Sequence, residues 1–350
     1  MKDRRRKKPR VRKRDWSEAD LDAETRQPRR FRGLDVGLGA EAPDIDERFE
    51  DIQPNGVVIS PYGVLAFVEI DGQEQLCRVA ERLCTGKTSI LAPGDLVLVD
   101  ALDDDLCVSA VQRRRSKLSR PASKGQREQV IAVNVDHIVC VVAVAQPRFK
   151  AGVLDRLLIA ADIGGIHPIV VVNKMDLTGE TPREFEVYRD LELPLIFASC
   201  ETGEGIDELR RLLENSVSVL AGQSGVGKTS LINCLHPDFE LETQAVSAFN
   251  EKGRHTTTTS RLYHLGGGID IIDTPGIRQL GVWALAKEEA ALYFPDIAVL
   301  GERCRFRDCS HISEPGCAVR DAVETGALAA VRYTSYCRIR DSLDSKSPWG

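Results

Sequence analysis

No long hydrophobic run occurs in this chain of 350 residues. Its most apolar stretch, Ile138-Val-Cys-Val-Val-Ala-Val-Ala145, is far too short to span a bilayer, so no membrane association is expected. No apolar segment follows the basic N-terminus, which argues against a secretory signal. A transit peptide is disfavoured as well. Such peptides are poor in acids, and Asp15, Glu18, Asp20, Asp22 and Glu24 follow the basic residues directly. The expected location is the cytoplasm. In a reducing compartment the ten cysteines read as thiols or metal ligands, not disulfides. No internal repeat is present.

What remains is an ordinary globular composition, 42% hydrophobic and 29% charged, in a chain long enough for two or three domains. The net charge of -6 conceals an asymmetry, because residues 1–14 carry +9 and leave -15 for the rest. Whole-chain charge therefore says nothing about nucleic acid. The block Arg4-Arg-Arg-Lys-Lys-Pro-Arg10 does, since such a tail docks readily on phosphate; a solubilising tail is the plainer reading.

Four regions follow from the patterning. Residues 1–50 are polar, charge-segregated and read as disordered. Residues 51–115 hold short alternating segments (56–60, 64–70, 74–79 and 95–99) separated by Pro61-Tyr-Gly63, Asp71-Gly72 and Pro93-Gly-Asp95. Five or so strands at this spacing predict a small β-barrel, either an oligonucleotide-binding (OB) fold or an SH3-like barrel. Gln112-Arg-Arg-Arg-Ser-Lys-Leu-Ser-Arg-Pro121 reads as a basic linker. Residues 121–285 alternate strands (130–144, 167–172, 194–198, 217–221 and 269–272) with helices (153–161, 182–191, 205–213 and 228–235). That alternation predicts an α/β domain with a mostly parallel sheet covered on both faces. Residues 286–350 hold a cysteine cluster and a helical tail over 318–343.

Gly222-Gln-Ser-Gly-Val-Gly-Lys-Thr229 is a P-loop between an apolar strand and a helix. The residues from Gly222 through Gln223, Ser224, Gly225, Val226 and Gly227 to Ser230 would turn backbone N–H groups toward phosphates at a helix N-terminus. Lys228 would reach the β- and γ-phosphates, and Thr229 would ligate Mg²⁺. Asp273-Thr-Pro-Gly276 ends a strand at the carboxyl edge, where Asp273 fits a second Mg²⁺ anchor and the Gly276 amide a γ-phosphate sensor. Asn173-Lys-Met-Asp176 also ends a strand. The Asp176 carboxylate can accept two hydrogen bonds from guanine that adenine cannot supply. Asn173 would contact the base edge or hold the P-loop, and the stem of Lys174 would cover the base face. Phe197-Ala-Ser-Cys200, with Ser199, resembles the further guanine loop. Together these motifs specify GTP.

Their order is unusual. Ordinary GTPases place the P-loop first; here the guanine motifs precede it, so the GTPase domain is circularly permuted, its old ends joined near Glu214-Asn-Ser216. The Asp273 switch then runs straight into the cysteine-bearing region, and its movement on hydrolysis is expected to pass to that region. Between P-loop and Asp273 lies Gly253-Arg-His-Thr-Thr-Thr-Thr259, where Thr257 or Thr258 would close over Mg²⁺. Ile277 stands where many GTPases carry a water-orienting Gln, which predicts slow intrinsic hydrolysis. His255 is the internal candidate for the missing group, the alternative source being a partner.

Cys304, Cys309, His311 and Cys317 lie within fourteen residues. Cys₃His is a closed tetrahedral set, expected of structural Zn²⁺ because it leaves no position for a reactive water. Cys337 reads as packed rather than ligating. Arg303, Arg305 and Arg307 make the loop an RNA-facing element or a solvated face.

With these residues placed, the chain resembles the ribosome-small-subunit-dependent (RsgA-type) GTPase family over roughly residues 55–340. The resemblance rests on Asn134-Val-Asp136, Leu154-Asp-Arg156, Asn173-Lys-Met-Asp176, the P-loop, Gly253-Arg-His-Thr-Thr-Thr258, Asp273-Thr-Pro-Gly276 and the Cys₃His set. It implies an OB-fold barrel, a permuted GTPase domain and a C-terminal zinc domain. It further implies GTP hydrolysis to GDP stimulated by the small ribosomal subunit, rRNA binding and a role late in that subunit's assembly, with the protein expected as a monomer. The stretch from Ala80 to Ile90 departs from the basic loop such a barrel would carry, and the acidic segment around residues 44–51 has no counterpart in the family pattern. Three other readings compete: a P-loop kinase or ATPase, an RNA-binding module with a vestigial nucleotide site, and an assembly factor using GTP as a switch on a different RNA.

Overall fold

The computed structural model describes residues 49–102, 105–121, 128–180, 182–236, 260–274 and 285–343. Among them, no helix is long and apolar enough to cross a membrane.

The first unit is a closed barrel. Strands β2 (Gly56–Tyr62), β3 (Leu65–Ile70) and β4 (Gln73–Val79) form an antiparallel meander, and β7 (Leu96–Leu102) and β8 (Asp105–Gln112) form a hairpin. The hairpin closes the ring: β7 pairs with β2, and β8 runs parallel to β4. The circuit β2-β3-β4-β8-β7 is OB-like connectivity, which decides against the SH3-like alternative. Two two-residue strands, β5 (Cys84–Thr85) and β6 (Thr88–Ser89), pair within the crossing loop, and β1 (Phe49–Glu50) adds to β8. Val58, Ala66, Val68, Cys77, Val97 and Val108 fill the barrel without exposure, as period-two alternation requires.

The segment expected as a linker carries a strand of its own. Lys117–Pro121 (β9) pairs antiparallel with β10 (Glu128–Val133). The single strand expected over residues 130–144 is therefore two strands in two sheets, β10 and β11 (His137–Ala143). Asn134 makes the break with φ 53°, a left-handed conformation that Asn tolerates better than most residues. Its side chain accepts from the Arg115 N–H at 3.0 Å and donates to the Gly94 carbonyl at 2.8 Å. The two neighbouring arginines then join barrel to sheet. Arg114 forks onto the fully buried Asp95 with both bonds at 2.7 Å, while Arg115 pairs with Asp136.

The second unit is a six-stranded sheet of order β13-β12-β11-β14-β16-β15, with β12 (His167–Asn173), β13 (Leu195–Phe197), β14 (Ser216–Ala221), β15 (Arg261–His264) and β16 (Ile269–Asp273). All pairings are parallel except the edge pair β15–β16, a strand the sequence pattern did not show. Helix α1 (Ala151–Gly164) and the chain around α2 (Glu186–Arg189) cover one face; α3 (Ile206–Leu213) and α4 (Lys228–Leu235) cover the other. The helix expected over 182–191 is reduced to a 3₁₀ turn and one α-turn. Its apolar residues, Phe185 and Tyr188, are buried against Phe149.

The third unit packs a 3₁₀ segment, Lys287–Tyr293, with helices Pro295–Gly301, Ala318–Glu324 and Ala330–Ser342 around Phe294, Ile297, Val319, Tyr336 and Ile339. The single helical tail expected there is two helices, broken near Gly326 (φ 78°). Cys337 packs against this core and lies outside the Cys₃His cluster.

Candidate functional site

Three loops leave the sheet at the carboxyl ends of β12, β14 and β16, on adjacent sides of the strand-order reversal where open α/β sheets bind ligands. The P-loop leaves β14 and enters α4. Gly222 and Gly227 have φ of 153° and 95°. A Cβ on Gly222 would collide with the Val141 carbonyl, and one on Gly227 with the Asn173 amide, so the loop closes only on glycine at both points. Lys228 folds back, donating to the carbonyls of Gly222 and Gln223 at 2.9 Å each. Between the two lie Ser224, Gly225 and Val226, with Thr229 and Ser230 in the first turn of α4.

Asn173, 2% exposed at the end of β12, donates through Nδ2 to the Val226 carbonyl at 2.9 Å. This bond ties the end of β12 to the P-loop. Lys174 takes a left-handed conformation (φ 66°) and donates to the Gln146 carbonyl, while Pro147 of the same loop lies against Gly225. Ser199, fully buried after β13, donates to Asp176 Oδ1 at 2.6 Å. Its oxygen accepts from the Glu201 and Thr202 N–H groups at 3.2 Å each. Two hydrogen-bonded pairs, Asn173 with Val226 of the P-loop and Ser199 with Asp176, are thus set side by side by the short run from Asn173 to Asp176, although that run precedes the P-loop in sequence.

Asp273 ends β16. Burial pushes its carboxyl above the ordinary value, against the opposing pull of the Thr274 N–H and Lys228. Thr274 is buried and its hydroxyl has no hydrogen-bond partner among the described residues. Gly276, His255, Thr257 and Thr258 lie outside the described residues. Gln146 and Pro147 are site residues that sequence reasoning missed; the only sequence signal was their place at the end of an apolar strand.

A second cluster lies in the third unit. The ligand atoms of Cys304, Cys309, His311 and Cys317 all fall within 4.8 Å of one another. Burial pushes the Cys309 and Cys317 thiols up and the His311 imidazole down. A cation binding the thiolates would offset the cost of burying them together, so the donor set fits a metal ion. The loop is braced from outside. Glu314 accepts from the backbone N–H of Ser310, Ile312 and Ser313, and Tyr333 and Tyr336 donate to the carbonyls of His311 and Ser310 at 2.8 Å.

An OB-like barrel, a sheet with guanine-type motifs ahead of a P-loop, and a Cys₃His cluster define a circularly permuted GTPase. A family model described as RsgA GTPase matches residues 111–283. The small ribosomal subunit biogenesis GTPase RsgA of Yersinia pseudotuberculosis is 38% identical over 317 residues, covering 87% of this chain and 90% of that protein. Its namesake from Haemophilus influenzae is 37% identical over 309 residues, 85% and 87% of the two chains. Among solved structures, YjeQ from Thermotoga maritima aligns with TM-score 0.65 at 31% identity, over 83% of this chain and 99% of that one. YloQ, described as a circularly permuted GTPase, aligns with TM-score 0.62 at 27% identity, over 85% and 97%. The chain belongs to the RsgA GTPase family.

Proposed function

We propose that this GTPase binds the small ribosomal subunit and its rRNA, acts late in that subunit's maturation, and hydrolyses GTP to GDP and phosphate under stimulation by the subunit. The observation that carries the GTP assignment is the run Asn173–Asp176, whose first residue is bonded to the P-loop carbonyl of Val226 and whose last, a carboxylate suited to guanine, is held by Ser199. The ribosomal assignment is supported by relatives named for small-subunit biogenesis that match nearly the whole chain.

In this reading Asp176 reads the N1–H and amino group of guanine, Ser199 fixes that carboxylate and supplies the neighbouring loop, and Lys174 covers the base face. Backbone N–H groups from Gly222 to Thr229 receive the phosphates, and Lys228 leaves its two carbonyls for phosphate oxygens. Thr229 and Asp273 would hold Mg²⁺, which supplies charge neutralisation at the phosphates. Gly276 and Thr257 or Thr258 complete the γ-phosphate contacts, with His255 the candidate for orienting water. Cys304, Cys309, His311 and Cys317 would hold one structural Zn²⁺. The protein acts as a monomer.

The test is GTP turnover by the full chain with and without purified small subunits. Stimulation of at least about tenfold is expected. Equal rates would overturn the ribosomal role and leave the GTP site standing.

A further inference from the structure

A charged side chain lies buried where the third unit meets the GTPase sheet. Arg332, on helix Ala330–Ser342, is 2% exposed. Its guanidinium forks onto Asp296 of the third unit, Nε to Oδ2 at 2.9 Å and Nη2 to Oδ1 at 3.1 Å. Its remaining nitrogen, Nη1, donates to Asp155 of α1 in the GTPase domain, itself 1% exposed. Tyr188, beside α1, donates to the same Asp155 oxygen at 3.0 Å. Phe294 from the third unit and Tyr188 from the GTPase domain both lie within cation–π range, 4.8 and 5.4 Å from the guanidinium carbon.

Helix α1 serves two masters. Leu154, Leu157 and Ala161 pack into the sheet core. Gly152, Asp155 and Ile159, on a separate stripe, face the third unit: Gly152 lies beside Ser335, and Ile159 belongs to the core of Phe294, Ile297 and Tyr336. At its N-terminal end α1 continues from the loop whose Gln146 carbonyl holds Lys174.

We infer that Arg332 locks the metal-bearing unit to α1, on the guanine side of the sheet, in a pose that does not change with the bound nucleotide. Resting on the proposed function, the inference extends to Arg332 being a positioning residue for subunit-stimulated hydrolysis, because the locked pose is the one the subunit meets. A planar fork fixes direction as well as distance. Pivoting the third unit with the Asp273 switch would carry the Arg332–Asp296 fork along but pull Arg332 from the buried Asp155, leaving that carboxylate without its cation, so nucleotide-driven movement is confined to the loops. The expected hand-off of switch motion to the C-terminal region as a body is thereby replaced.

The experiment places spin labels, through encoded keto amino acids, at the exposed Leu212 and Val299, one in each unit, and measures their separation in the full chain. A single narrow distribution, the same with GDP and with a non-hydrolysable GTP analogue, is expected. Arg332→Met should broaden it, leave subunit-free GTP turnover unchanged, and raise the half-saturating subunit concentration about tenfold. A shift between nucleotide states in the unmodified lock, or a distribution still narrow in R332M, overturns the lock. Unchanged subunit dependence despite a broadened distribution overturns the positioning role. If R332M does not fold, Asp155→Asn, which weakens the bond between the units and leaves the Asp296 fork inside the third unit, is read by the same criteria. If subunits do not stimulate the unsubstituted protein at all, the proposed function fails while the distances still decide the lock.

Discussion

The guanine side and the phosphate side of the site are held in different ways. On the guanine side, Asn173 and Ser199 are buried and already bonded to their targets, Val226 and Asp176. Recognition of the base there requires little rearrangement. On the phosphate side Lys228 is satisfied by the carbonyls of its own loop, and Asp273 is held toward its neutral form by burial. Ligand must displace the one, and a cation beside the other would offset its burial. The difference assigns selectivity to a preorganised region and turnover to a region that is reset in every cycle.

The largest effect should come from breaking the phosphate side alone. Lys228→Ala is expected to lower kcat by about 10²–10³-fold while the preference for guanine over adenine nucleotides stays, since no guanine contact is lost. Retained turnover would show that Lys228 does not serve the phosphates. Breaking the guanine side alone should do the reverse. Asp176→Asn keeps one acceptor oxygen and replaces the other by a donor that faces the guanine amino group, and GTP affinity should fall by about 2–4 kcal/mol. The new amide can donate to the 2-oxo group of xanthine, so xanthosine triphosphate should recover binding and turnover. Competition titration of the two nucleotides decides it: equal GTP affinity in both proteins removes Asp176 from base reading.

Much of this contrast was legible in the sequence, because its motifs stand at the ends of strands with plain apolar patterns. Lys228, Asp273 and Asp176 needed only the alternation of elements to be placed at one sheet edge. The break at Asn134 went unread although Asn134, Asp136 and His137 interrupt the apolar run there, because the turn is fixed by Gly94 and Arg115, which lie 40 and 19 residues away. The loss of the helix over 182–191 follows from the packing of Phe185 and Tyr188 on Phe149, a tertiary effect that overrides local propensity. The Arg332 lock joins residues 177 positions apart. Its one local sign was a carboxylate, Asp155, between Leu154 and Arg156 on a helix whose only other charged residue is Asp162.

A smaller change tests whether the two sides are mechanically joined. Asn173→Ala leaves the Val226 carbonyl without its buried donor, at an expected cost of about 1–3 kcal/mol. Because that bond holds the P-loop, guanosine and xanthosine nucleotides should lose affinity in equal measure, in contrast to Asp176→Asn. A loss confined to guanosine nucleotides would give Asn173 a base contact instead.

The smallest expected effect is that of pH on Asp273, and its sign separates the two states of the phosphate side. Burial raises the folded value above the ordinary 3.8, so between those two values the native chain binds a proton that the unfolded chain does not. Without nucleotide, stability attributable to Asp273 should therefore rise as pH falls through the raised value. Mg²⁺ needs the carboxylate, so Mg²⁺-dependent nucleotide affinity should fall over the same window. Thermal unfolding with and without Mg²⁺–GDP, compared with Asp273→Asn, measures both slopes. In the variant each contribution should be absent. Parallel slopes in the unsubstituted protein would mean that Asp273 does not carry the cation, and the phosphate side would need another anchor.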